Sequence, residues 1–236
     1  MRLNILSGGA AHGLVTAVAP QFERDTGATI DGKFGAVGAM RDRLTAGASA
    51  DMLILTSALI AELTRSGHVV AGSASDLGSV ATGVAVRGGD PAPAIDGADA
   101  LRAALRAADG IYFPDPKLAT AGIHFAKVLE RLGIAEEVAS RLRTFPNGQT
   151  AMAALADAGG RPIGCTQVTE ILNTKGVRLV GNLPADFALA TVYTIGICAK
   201  AQSADLARRF AALLTGEGSG DLRRRLGFTP VVPSRA

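Results

Sequence analysis

The 236-residue sequence contains no tryptophan, two tyrosines, two cysteines and three histidines, and each shortage removes a class of function. With aromatic residues at 4%, too few rings are present to build a platform on which nucleic-acid bases stack. No nucleic acid is therefore expected as a partner. Cys165 sits in "PIGCTQV" and Cys198 in "TIGICAK", apolar strand-like runs without a neighbouring Cys or His at metal-ligand spacing, so both read as buried thiols. No metal site, cofactor or disulfide framework is expected.

No run approaches the ~18 to 20 continuous apolar residues of a membrane span. A phosphate loop, a Gly-x-Ser-x-Gly elbow and a His-Glu-x-x-His zinc motif are all missing. "SGGAAHG", Ser7 to Gly13, places its last glycine at the wrong offset for a dinucleotide fingerprint. Met1 is followed within two residues by the first strand-like run. The expected location is the periplasm if the sequence is a mature form, and the cytoplasm if Met1 is the native start.

What is present is ample material for a core: 48% of the residues are hydrophobic. The net charge of +3 is dispersed except for "DLRRRLGF", Asp221 to Phe228, which reads as a solvated last helix turn. The runs "LNIL", "ATIDGKF", "DMLILT", "GVAVR", "GIYFP", "RPIGCTQ" and "VRLVG" alternate with helical patterns, and that alternation predicts an α/β protein with largely parallel sheets. A first helix is expected over about His12 to Asp25, with Leu14, Val15, Val18 and Phe22 on its buried stripe, Gly27 closing it and Pro20 as a kink or shortening point. A second is expected from Val37 or Gly38 to Gly47.

Four strand-to-helix junctions are rich in small residues: "LSGGAAHGL" (Leu6 to Leu14), "FGAVGAM" (Phe34 to Met40), "DPKLATAGIH" (Asp115 to His124) and "PNGQTAM" (Pro146 to Met152). Small residues at a helix start let main-chain N–H groups face another molecule, and an anion is the ligand such donors suit. In open α/β sheets ligands gather at the carboxyl ends of strands, so the four junctions point to one binding region.

The stretches "FERDTGATIDGKFGAVGAMRDRLTAGASADMLILT", "FPDPKLATAGIHFAKVLERLG", "GVRLVGNLPADF" and "RRRLGFTP" resemble the molybdate-binding periplasmic proteins, type II solute-binding proteins of ATP-driven (ABC) importers. The resemblance runs from Arg2 to about Phe228. It implies an α/β type II periplasmic-binding-protein fold of two lobes with a ligand cleft between them. Lobe one would be 1–82 plus 194–236 and lobe two 83–193. "VATGVAVR" and "ATVYTIGICAK" would be the two hinge strands, and importer membrane subunits would be partners of an exported form.

Where the family presents hydroxyl side chains and a tyrosine to its oxyanion, the matching positions look like Ala10, Gly38 or Ala39, and Gln167. Backbone donors at Gly9, Ala10, Gly38, Ala39, Ala121 and Gly148 do not depend on those side chains. With Ser7, Arg41, Thr120 and Gln167 they make the expected ligand-binding set. A site with fewer hydroxyls, more room for carbon and an Arg able to grip a carboxylate suits a small organic acid better than molybdate or tungstate.

Some proteins resembling this family are aconitate isomerases, which shift a double bond in a tricarboxylic acid. That reaction needs a base beside one carbon and an acid beside another. His12, His124 and Glu170 are the candidate proton-transfer groups if the chain is such an enzyme.

Overall fold

The computed structural model describes residues 1–231; positions 232–236, which the sequence reading places in lobe one, lie outside the described residues. In chain order the first elements are β1 (Arg2–Gly8), α1 (His12–Thr26), β2 (Thr29–Gly35), α2 (Val37–Thr45), β3 (Met52–Thr56) and α3 (Ser57–Arg65). β4 (Ser75–Arg87) leads into α4 (Ala98–Ala107), β5 (Gly110–Pro114), α5 (Thr120–Arg131), α6 (Ala135–Val138), β6 (Leu142–Phe145), α7 (Gly148–Ala156), β7 (Pro162–Gln167), α8 (Val168–Leu172) and β8 (Val177–Asn182). β9 (Ala190–Ile197), α9 (Ala204–Thr215) and α10 (Gly220–Arg225) follow. The chain divides into two compact units, Met1–Val80 with the chain from Thr191 onward, and Ala81–Ala190. β4 and β9 are thus the segments by which it leaves the first unit and returns.

In the first unit β1 is flanked by β2 and β3, all parallel, and β3 pairs antiparallel with β9. The run "MLILT" has no polar alternation because Met52, Leu53, Ile54 and Leu55 are all fully buried, as expected of a strand covered on both faces. α1 buries Leu14, Val15, Val18 and Phe22, and Phe22 meets Phe210 of α9 edge to face, centroids 4.8 Å apart. Gly27 ends α1 at φ 66° with its N–H on the Glu23 carbonyl, the left-handed cap a glycine takes without penalty. Pro20 lies inside α1 and does not shorten it. α2 stops at Thr45, two residues before the predicted end at Gly47, which adopts φ 95° in the turn beyond.

Asp51, 1% exposed, ties the two ends of this unit together. One carboxylate oxygen accepts from the Asn4 N–H (2.8 Å) and amide (3.2 Å), the other from the N–H groups of Gln202 and Ser203 (both 2.8 Å) just before α9.

In the second unit β5 lies between parallel β6 and β7, and β7 pairs antiparallel with β4, which also pairs with β8. One face of this sheet packs Val84, Ile111, Phe113, Ile163 and Cys165 against Leu101 and Leu105 of α4 and Phe125, Val128 and Leu129 of α5. The other places Ala85 beneath Ala151, Met152 and Leu155 of α7. Both cysteines are buried free thiols. Burial and the nearby Asp51 charge push the Cys198 thiol up to about 12, so it stays protonated and unreactive. Arg223, Arg224 and Arg225 form the last turn of α10, where cations complement the helix dipole. Among the described residues no helix is long and apolar enough to cross a membrane.

Candidate functional site

Of the residues expected at a site, the first unit holds Ser7, Gly9, Ala10, His12, Gly38, Ala39 and Arg41. β1 and β2 end in register, Gly8 opposite Gly35, so the helices that follow them start side by side. Neither start is capped by a side chain: Gly8 precedes a short 3-10 turn (Gly9–Ala11) that runs into α1, and Ala36 precedes α2. Thr56, by contrast, accepts the Leu59 N–H at the start of α3. Gly8 is required here. A Cβ on it would lie 2.7 Å from Val37 Cγ1 and 3.1 Å from the Tyr193 ring, distances at which something must move.

Ser7 is fully buried and its hydroxyl donates to the Gly8 carbonyl at 2.9 Å. His12 opens α1 half-buried, its ring 4.3 Å from that of Phe34. Arg41, expected to grip an anion, is held by its neighbour: Nε and Nη2 meet Asp42 Oδ1 at 2.9 and 2.7 Å. The pair is partly exposed, so solvent screening makes it weak.

Of the residues expected at a site, the second unit holds Thr120, Ala121, His124, Gly148, Gln167 and Glu170. Ala119 precedes α5 without a side-chain cap. Gly122 lets that first turn press on the β5–α5 connection, since a Cβ there would lie 2.3 Å from the carbonyl oxygens of Pro114 and Asp115. Ala121 is buried and Thr120 half-buried. His124, expected as an acid or base, is bound to the fold through Nε2, 2.7 Å from the Phe187 carbonyl; Phe187 in turn carries the Arg131 guanidinium 4.7 Å above its ring.

Gly148 departs most from expectation. α7 is capped by Asn147, whose side chain accepts from Thr150 N while the Thr150 hydroxyl faces the Asn147 N–H. The N–H groups of Gly148 and Gln149, instead of facing an external anion, donate to Glu170, which also accepts from the Gln167 N–H and, at 2.6 Å, from the Thr166 hydroxyl. A carboxylate of the chain itself occupies the amino-terminus of α7. The sequence marks both residues without linking them, because contact between Gly148 and Glu170 exists only once α7 packs on β7 and α8.

Burial pushes the Glu170 carboxyl up to about 7 from 4.5, against the pull of its four donors. Because the folded value is the higher one, the folded protein keeps a proton that the unfolded chain has released between those values. Stability is then fullest below about 4.5 and falls by about 3 kcal/mol as pH rises through about 7. Urea unfolding at about pH 5 and about pH 8 should show this fall in the wild type and not in Glu170→Gln, which has no proton to lose. Equal pH dependence of the two proteins would refute it.

Among the described residues no group of three or more His, Cys, Asp or Glu side chains is arranged to hold a metal ion.

The chain matches the family model of bacterial extracellular solute-binding proteins over residues 3–229. It is 27% identical to an aconitate isomerase from a Pseudomonas species over 97% of this chain and 88% of that protein. Among solved structures, the periplasmic molybdate-binding protein of Azotobacter vinelandii is similar with a TM-score of 0.81 at 17% identity, covering 98% of this chain and all of that one. The sulfate-binding protein SubI of Mycobacterium tuberculosis H37Rv gives 0.76 at 19% identity, covering 99% and 88%. The chain therefore belongs to the bacterial extracellular solute-binding proteins, with a type II periplasmic-binding-protein fold similar to that of the molybdate-binding protein.

Proposed function

We propose that this protein binds a small anion through main-chain N–H groups at uncapped helix starts, those of α1 and α2 in the first unit and that of α5 in the second, each taken by itself, and that the anion is an organic carboxylate rather than molybdate or tungstate. The observation that carries the reading is that α1, α2 and α5 start uncapped at small residues where strands end; α4, α6, α8, α9 and α10 also lack side-chain caps. Thr56 and Asn147 cap α3 and α7 with side chains, while the starts at Gly8, Ala36 and Ala119 have none. Donors of this kind favour negative charge and are stabilised by an anion that satisfies them. Ala10 and Ala39 add bulk neither to block carbon nor to donate to a compact oxyanion. Acting as a solute-binding protein, the chain would deliver its ligand to the membrane subunits of an importer outside the cytoplasm.

A second reading is an isomerase of a small unsaturated carboxylic acid, favoured by the 27% identity to an aconitate isomerase along nearly the whole chain. His12 is then the proton-transfer group we favour. It stands at the first residue of α1, where a base would remove a proton beside a carboxylate and the same or a second group would return one across the allylic system. Neighbouring N–H donors would hold the charge that develops.

A thermal-shift panel of ligand-free protein with molybdate, tungstate, sulfate, phosphate, citrate and cis- and trans-aconitate separates these readings. A ligand at about 100 times its Kd adds roughly 2.7 kcal/mol, so a tricarboxylate that binds should raise the melting temperature clearly. A shift with molybdate or tungstate alone would overturn the carboxylate preference. Conversion of trans- to cis-aconitate, lost in His12→Ala with binding retained, would establish the enzyme.

A further inference from the structure

We propose that the Thr82 hydroxyl is a ligand-contacting group that hydrogen-bonds a carboxylate or other oxyanion oxygen held at the amino-terminus of α5. The inference rests on the anion-binding reading and adds to it a residue from the strand opposite that helix start.

Thr82 lies in β4 and is 1% exposed. Its main chain is fully engaged, the N–H on the Leu189 carbonyl at 2.9 Å and the carbonyl on the Leu183 N–H at 3.0 Å. Its hydroxyl nevertheless has no hydrogen-bond partner among the described residues. Buried hydroxyls are normally satisfied, and one that is not weakens the fold unless something else completes it.

Strand geometry says where that hydroxyl points. Thr82, Val84 and Val86 share one face of β4 and stand opposite Gln167, Cys165 and Ile163 of β7. Val84, Cys165 and Ile163 belong to the hydrophobic cluster that also holds Leu101 and Leu105 of α4 and Phe125, Val128 and Leu129 of α5, so this is the face on which α4 and α5 lie. The helix follows β5 through a short connection, and β5 runs parallel to β7. Its amino-terminus therefore stands at the end of β7 where Gln167 faces Thr82.

From Phe125 back to Ala121 the helix climbs about 6 Å, and from Val84 back to Thr82 the strand climbs about 6.6 Å. Thr82 and the uncapped first turn of α5 thus lie toward the same end of the same face. The neighbouring helix start, that of α7, cannot serve in the same way, since Glu170 already fills it. An external anion meeting this unit is directed to α5, with Thr82 supplying a buried hydroxyl in addition to that of Thr120, the first residue of the helix.

The test uses Thr82→Val, which keeps the shape and removes the hydroxyl, and Thr82→Ser, which keeps the hydroxyl. Calorimetric titrations of the wild type and both variants with citrate, trans-aconitate, molybdate, sulfate and phosphate give the affinities. For each anion that the wild type binds, Thr82→Val should raise Kd at least tenfold while Thr82→Ser stays within a few-fold of the wild type. The anion-free Thr82→Val protein should melt at the wild-type temperature or above it, because an unsatisfied buried group has been removed. Wild-type affinity in Thr82→Val would overturn the contact and leave anion binding standing. A markedly lower melting temperature in Thr82→Val would show that the hydroxyl has a structural partner, which also overturns it. A wild type that binds none of the five would overturn both readings together.

Discussion

At about pH 8, where Glu170 is ionised, Gly148→Ala is expected to destabilise the protein by about 3–5 kcal/mol, the range for a buried charge that loses its partners. The added Cβ would lie 1.9 Å from Glu170 Oε2 and 2.0 Å from the Thr166 hydroxyl, so the carboxylate has to leave its place. Steric strain is the smaller part of the cost, because a glutamate side chain can swing. The larger part is what the movement undoes: the N–H groups of Gly148, Gln149 and Gln167 and the Thr166 hydroxyl lose their common acceptor, in a region closed to water. The double variant Gly148→Ala with Glu170→Ala distinguishes this account from simple crowding. If the expelled carboxylate is the cause, the cost of Gly148→Ala should shrink by more than half once Glu170 is absent. An undiminished cost would mean that the helix start itself cannot accept a side chain.

Asp51→Ala is the second large loss, again about 3–5 kcal/mol by chemical denaturation. The carboxylate accepts from three main-chain N–H groups and one amide at 2.8–3.2 Å. Its removal leaves the Asn4, Gln202 and Ser203 N–H groups without their acceptor, where α9 begins to return to the sheet. The melting temperature should fall clearly while anion affinity, measured below the new transition, stays at the wild-type value, since Asp51 belongs to none of the helix starts proposed to bind. A change in affinity as large as the change in stability would contradict that separation.

Much of this fold was legible because its strands are buried on both faces. "DMLILT" and "RPIGCTQ" read as strands from continuous apolar character, and both are strands whose residues lie inside. β6 escaped notice for the opposite reason. It is four residues long, pairs with β5 alone, and exposes Arg143 and Thr144, so it carries neither an apolar run nor a clean alternation.

At the site, glycine and alanine correctly marked where helices start, because close approach of backbone leaves a local signature. What fills or faces those starts was not local. Glu170, on α8, reaches Gly148 on α7 with the whole of β7 between them in sequence. Thr82 was passed over inside "VATGVAVR" as one polar residue in an apolar strand. Only the missing partner in three dimensions gives it weight.

The path of the chain between its two units bears on the order in which the protein is made. Residues 81–190 form a continuous stretch that leaves the ribosome with every partner of its own sheet and helices already synthesised. The first unit has no such independence: Met52 pairs with Ile197 and Thr56 with Tyr193, so the early strands wait, with one edge unpaired, until that whole stretch has been translated. Strands joined across so long a gap in sequence form slowly, and an unpaired edge invites association with other chains. A nascent chain held at about residue 190 thus pairs a completed second unit with an exposed β3 edge, the stage at which a holding chaperone has the most to cover.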